Sequence, residues 1–162
     1  MKTLIVYYSL EGNTAYVADS IAKAIGADTL CLVPKKAYAS KGFRKFLWGG
    51  KSAVMAEKPP LEEYDVDLTA YDRIVFGFPV WAGNVTPPLR TFIAENLEAV
   101  KEKRIAAFAC QSGSGAEKAF GKLKEAIGID ALENEAVFID PKNKQTAETD
   151  AAIEAFGREL ME

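Results

Sequence analysis

The sequence predicts an α/β fold built as a three-layer sandwich, a parallel sheet between two layers of helices. Three observations predict it. Five short runs rich in β-branched and aromatic residues alternate with segments of helical period, the pattern of βαβ units joined by right-handed crossovers. The third run, Arg73-Ile74-Val75-Phe76-Gly77-Phe78, is almost wholly apolar after its first residue, as expected of a parallel strand covered on both faces. The length, 162 residues, suits one domain that buries roughly two-thirds of its unfolded surface. No internal repeat or linker divides residues 1–162.

The elements follow in order. Thr3-Leu4-Ile5-Val6-Tyr7-Tyr8 reads as the first strand. A helix follows from about Ala15 to Ile25, with Val17, Ile21 and Ile25 recurring every four residues and Gly26 as its stop. Asp28 to Val33 is a second strand ended by Pro34, with Cys31 expected as a small core residue. The connection from Lys35 to Asp72 has two parts. Residues 35–51 are basic, with Tyr38, Phe43, Phe46, Leu47 and Trp48 interleaved; residues 57–72 are acidic around Pro59-Pro60. A crossover helix is expected around Phe43–Trp48, its apolar side on the sheet and its lysines in water. Loops of this length are often functional, so a docking surface or a lid is the competing expectation.

After the third strand, Pro88 stands near the first turn of a helix that places Leu89, Phe92, Ile93 and Leu97 on one stripe. Arg104 to Ala109 is the fourth strand. It runs through Cys110-Gln111-Ser112-Gly113-Ser114-Gly115 into a helix that ends near Ile127, before Gly128. Ala136 to Ile139 is the fifth strand, and a last helix from about Thr146 to Leu160 turns Ile153, Phe156 and Leu160 inward.

Composition removes whole classes of function. A net charge of −3 argues against general nucleic-acid binding by phosphate neutralisation. No apolar run approaches the roughly 20 residues that span a bilayer. Met1-Lys2-Thr3 leads straight into the first strand, so no signal peptide is expected and the protein is expected in the cytoplasm. Cys31 and Cys110 lie far apart with no CxxC spacing, which speaks against structural zinc and a disulfide framework. The chain has no histidine, which removes Ser-His-Asp and Cys-His catalysis, histidine haem ligation and most catalytic zinc sites. Its chemistry is expected to belong to a bound cofactor.

Ser9-Leu10-Glu11-Gly12-Asn13-Thr14 lies where the period switches from strand to helix. Free backbone N–H groups, hydroxyls and the positive end of a helix dipole suit a phosphate there. The loop holds no lysine or arginine and lacks a Walker ending, so dipoles and hydrogen bonds would have to hold the anion. The simpler reading is a strand-to-helix turn with Asn13 or Thr14 as N-cap. Two more loops follow strand ends: Pro79-Val80-Trp81-Ala82-Gly83-Asn84 and Cys110 to Gly115. With strand order 2-1-3-4-5 all three would meet at the crevice beside the first and third strands, where the order reverses. A planar ring attached to the phosphate would then have Trp81 as an aromatic neighbour.

Ser9-x-x-Gly12-Asn13-Thr14, and Gly77-x-Pro79-x-Trp81-x-Gly83 followed by Pro87-Pro88-Leu89-Arg90-Thr91-Phe92, resemble motifs of the flavodoxin family, the second being similar to its shorter members. The resemblance covers the whole chain and implies a flavodoxin-like five-stranded parallel sheet of order 2-1-3-4-5 that binds FMN. It further implies that Ser9, Gly12, Asn13 and Thr14 hold the phosphate, with Leu10 and Glu11 in the same loop. Trp81 would flank the isoalloxazine within the Pro79–Asn84 loop. Backbone at Ala82–Gly83 would face the flavin N5 edge and separate the two one-electron steps. Gln111, Ser112, Gly113, Ser114 and Gly115 would offer N–H groups to the pyrimidine side.

Three features depart from the family pattern. Glu11 stands where the best-known members have Thr or Ser. The third loop has no aromatic, which leaves the second flavin face open or covered by a residue such as Trp48. The 35–51 stretch is basic, where the carriers have an acidic rim. The implied function is a low-potential electron carrier between redox partner proteins. The alternative is an NAD(P)H-dependent reductase passing electrons to a quinone or another small-molecule acceptor. A flavin-free relative with Glu11 blocking the phosphate is a further reading. A receiver-like signalling domain is the last; it needs acids directly after strand one and a phosphoacceptor Asp after strand three, where the chain offers Ser9 and Pro79.

Overall fold

A computed structural model describes residues 1–38, 51 and 56–162. The helix expected around 43–48, and Trp48 with it, lie outside the described residues. Five strands form one parallel sheet in the order β2-β1-β3-β4-β5. They are β1 (Thr3–Tyr7), β2 (Asp28–Cys31), β3 (Arg73–Pro79), β4 (Arg104–Gln111) and β5 (Glu135–Ile139). The helices are α1 (Asn13–Ile25), α2 (Pro87–Glu95), α3 (Leu97–Lys101), α4 (Ala116–Ile127) and α5 (Ala147–Glu159), with one turn of 3₁₀ helix at Leu68–Ala70.

Alternation along the strands divides the core in two. Leu4, Val6, Ile74, Phe76, Phe78 and Ala107 turn to one face, where Leu89, Phe92, Phe120 and Leu123 of α2 and α4 cover them. Ile5, Tyr7, Val75, Ala106 and Phe108 turn to the other, beneath Val17 and Ile21 of α1 and Ile153 and Phe156 of α5. The inner strands β1 and β3 are thus covered on both faces, as their unbroken apolar runs require.

The structure corrects three details. Cys31 is exposed rather than in the core. It ends β2, an edge strand that pairs with β1 alone and in which only Leu30 is partly buried. The helix drawn through Leu97 is two helices. Asn96 leaves helical geometry (φ −125°) and its Nδ2 donates to Phe92 O at 2.8 Å and to the Tyr64 hydroxyl at 2.9 Å. The side-chain amide shares the Phe92 carbonyl with Asn96's own backbone N–H, a local side-chain bond that competes with helical geometry, and Leu97 begins α3 only partly buried. Finally, Cys110 and Gln111 belong to β4, because Pro79 pairs with Cys110 and Gln111 with Ile139.

Gly77 is fixed by packing. It pairs with Phe108 across β3 and β4, and a Cβ on it would stand 2.3 Å from that ring's Cζ. Phe108 is fully buried, so the ring has nowhere to go. Gly77→Ala is therefore expected to destabilise the chain by about 3 kcal/mol, the upper end of core overpacking. Urea unfolding of the purified protein checks this, and an unchanged midpoint would show that the ring can yield. The two thiols should also separate. Cys110 is 4% exposed and burial pushes its thiol up to about 12, whereas Cys31 is exposed. Partial desolvation still raises the Cys31 thiol above its ordinary value, so its thiolate fraction, and hence its rate, climbs with pH. A thiol reagent at pH 8 should modify Cys31 in the native chain and reach Cys110 only on unfolding.

Candidate functional site

Because all five strands are parallel, every loop after a strand emerges at one edge of the sheet. Four of these loops enclose a cavity of about 400 Å³ beside the β1–β3 order reversal. Residues 9–11, 13, 14, 79–82 and 111–114 line it, together with Cys110 and Asp140.

The first loop is built around Ser9. Its Oγ accepts the N–H groups of Gly12 and Ala15, each at 3.2 Å, and so serves the helix end from outside the helix. Gly12 is the N-cap, with φ +97°, and Asn13 and Thr14 are the first helical residues rather than caps. A left-handed φ there is open to glycine at no steric cost. Asn13 Oδ1 does not turn to the cavity. It accepts the backbone N–H of Lys142 at 2.9 Å and of Asn143 at 3.2 Å, fastening the loop to the segment after β5. Thr14 is 1% exposed and lines the cavity, yet its Oγ1 has no hydrogen-bond partner among the described residues. The neighbouring Cys110 thiol is too weak a partner to satisfy it. Glu11 is exposed at the rim.

The second loop is a tight turn. Trp81 N–H donates to Asn84 O at 3.4 Å and Asn84 N–H to Trp81 O at 3.0 Å. Its two central residues are both left-handed, Ala82 at φ +50° and Gly83 at φ +69°. Asn84 Nδ2 donates to Ala82 O at 3.2 Å and braces the turn. Trp81 is clamped edge-on by Tyr8, with ring centroids 5.6 Å apart, and by Tyr38 at 5.1 Å. Burial raises the Tyr8 hydroxyl well above its ordinary range, so that ring stays neutral. Tyr38 comes from the long connection, which closes beside β2 through Lys35 N–H to Pro60 O at 2.9 Å and Glu62 N–H to Val33 O at 2.7 Å.

The third loop packs against the second through glycine. A Cβ on Gly115 would stand 3.1 Å from Gly83 Cα and 3.3 Å from Val80 Cγ1, so the two backbones meet only because no side chain intervenes. Gln111 Oε1 accepts Ala116 N–H at 3.0 Å, capping α4. Ser112 Oγ donates to Asp140 Oδ1 at 2.6 Å, tying this loop to the fourth. Asp140 is 6% exposed, stands at φ +41° and is paired with Lys144 Nζ at 3.2 Å.

Of the residues singled out in the sequence, Gly12, Gly83, Asn84 and Gly115 shape the wall from behind while the rest line the cavity. The sequence reading did not assign the fourth loop to the site. Asp140-Pro141-Lys142-Asn143 follows β5, and β5 neighbours β4, so its position at the same edge was implicit in the strand order. It also missed the Tyr8 and Tyr38 clamp. Among the described residues no cluster of His, Cys, Asp or Glu could hold a metal ion, and no helix is long and apolar enough to cross a membrane.

The chain is similar to known proteins along nearly its whole length. A family model described as flavodoxin matches residues 2–151. A flavoprotein from Lactobacillus acidophilus NCFM, solved in complex with FMN, superposes with a TM-score of 0.75 at 19% identity, covering 96% of this chain and 97% of that one. A Bacteroides eggerthii DSM 20697 protein assigned as a flavoprotein gives 0.70 at 23% identity over 95% and 94% of the two chains. The two-electron reduced flavodoxin of Megasphaera elsdenii gives 0.58 at 16% identity over 96% and 98%. The matched span, the strand order and the four-loop crevice together place the chain in one family: it belongs to the flavodoxins.

Proposed function

We propose that the chain binds FMN in the four-loop cavity and acts in the cytoplasm as a low-potential electron carrier between redox partner proteins. The observation that carries this is Thr14 Oγ1, a buried hydroxyl with no partner at the N-terminus of α1. Leaving such a group unmade costs about 1–3 kcal/mol, and a phosphate oxygen at this helix end would satisfy it. The residues present fit the group. Ser9, Gly12 and Thr14 would hold the phosphate, with Asn13 setting the loop. Trp81, already fixed by Tyr8 and Tyr38, would flank the ring at little entropic cost. The Ala82–Gly83 backbone would face one ring edge, and the 111–115 loop would offer N–H groups to the other. Bound FMN supplies one-electron transfer, and the chain's residues bind it, orient it and set the polarity around it.

The small, exposed residues 112–114 favour a second reading. No aromatic from this loop covers the ring, which leaves room for a nicotinamide, and the chain would then be an NAD(P)H-dependent reductase of a quinone or another small acceptor.

Titrating the apo chain with FMN and following the visible spectrum tests the site: a shifted flavin spectrum is expected, weakened in Trp81→Ala. Thr14→Val should separate binding from folding. Removing the orphan hydroxyl should stabilise the apo chain by about 1 kcal/mol, while the Kd for FMN rises roughly tenfold, equivalent to about 1.4 kcal/mol. Unchanged FMN affinity in Thr14→Val would remove the phosphate from this loop. Two resolved one-electron steps on anaerobic reduction would support the carrier; direct bleaching by a nicotinamide would support the reductase.

A further inference from the structure

The loop that the proposed FMN site uses for the phosphate contains no basic residue, yet a cation lies over it. A Cβ on Gly12 would stand 2.9 Å from Lys142 Nζ, 3.3 Å from its Cδ and 3.7 Å from its Cε, so the whole end of that side chain runs across the glycine. The position is built rather than incidental. Asn13 Oδ1 accepts both Lys142 N–H and Asn143 N–H, which pins the backbone of the β5–α5 loop to the first turn of α1. Pro141, buried just before it, fixes the backbone where the lysine departs.

We infer that Lys142 is the phosphate's counter-charge, delivered from the β5–α5 loop, and that it sets the preference for a phosphorylated flavin over an unphosphorylated one. This rests on the FMN reading above. Two independent features converge on the spot. The unpartnered Thr14 Oγ1 calls for an acceptor at the end of α1, and the ammonium of Lys142 lies against Gly12, two residues before it. A phosphate dianion seated on this loop would gain charge-assisted hydrogen bonds from the flexible end of Lys142. The ammonium also answers the presence of Glu11 in the same loop, since a carboxylate beside a dianion is repulsive and a nearby cation offsets it. Asn13 is then a positioning residue, acting through the lysine it holds. The absence of a side chain at residue 12 has a second purpose: it leaves the passage through which Lys142 reaches the loop.

The test compares FMN with riboflavin on the apo chain and on Lys142→Gln, each at low and high salt. Lys142→Gln should raise the Kd for FMN roughly fivefold, the upper end of what a solvent-exposed ion pair contributes, and leave the Kd for riboflavin unchanged. The salt dependence of FMN binding should shrink with it. Asn13→Ala should lose FMN affinity in the native background but little more in the Lys142→Gln background, because its effect passes through Lys142. Unchanged FMN affinity and salt dependence in Lys142→Gln would overturn the inference while leaving the phosphate loop standing. Equal losses for FMN and riboflavin would also overturn it, showing a role in loop shape alone. A native chain that binds riboflavin as tightly as FMN would remove the phosphate reading itself, and Lys142 with it.

Discussion

A parallel sheet delivers the end of every strand to the same edge, and the rest of this molecule follows from that constraint. The chain must leave each strand, cross over as a helix and re-enter from the far side. Five times the polypeptide therefore turns at one edge. Between β1 and β3 the crossovers diverge to opposite sides, so the loops there cannot pack onto each other and a crevice is left. The core secures this arrangement with side chains that have little room. Phe108 on Gly77 fixes the lateral spacing of β3 and β4, and those strands carry the second and third loops. Strand packing and site geometry are thus the same problem seen at two depths.

The edge is held by polar contacts that link loop to loop. Asn13 joins the first to the fourth, Ser112 joins the third to the fourth through Asp140, and the meeting of Gly83 with Gly115 joins the second to the third. Buried polar atoms are ordinarily paired; of the three buried side-chain atoms left unpaired among the described residues, Thr14 Oγ1, Thr86 Oγ1 and Arg90 Nε, Thr14 Oγ1 alone belongs to a residue that lines the cavity. A folded chain that keeps an unpaired hydroxyl gives up stability at that point. A ligand that accepted from this hydroxyl would restore that stability, the trade expected where function and stability compete.

Much of this was legible in the sequence. The apolar runs at 3–8 and 73–78 specified buried parallel strands, and the switch of period across Ser9–Thr14 specified a helix start facing the crevice. Three kinds of feature were not legible. Cys31 sits in an apolar run like its neighbours, and only the sheet order reveals that the run is an edge strand open to water. The break at Asn96 depends on a side chain reaching its own helix carbonyl and Tyr64, 32 residues away. The approach of Lys142 to Gly12 joins residues 130 positions apart and leaves no periodicity to read. The loop appeared to lack a cation because proximity in sequence was the wrong measure of proximity in space.

Whether the α1 N-terminus seats a phosphate dianion can be read from phosphorus NMR of FMN bound to the apo chain. Free FMN should titrate near its second ionisation, at about pH 6. Phosphate held by Thr14, the helix N–H groups and Lys142 should stay dianionic, its resonance unchanged between about pH 5 and pH 9, because hydrogen bonds to the charged form depress its ionisation. A bound resonance that titrates as the free ligand does would place the phosphate in solvent, away from Thr14 and the α1 N-terminus.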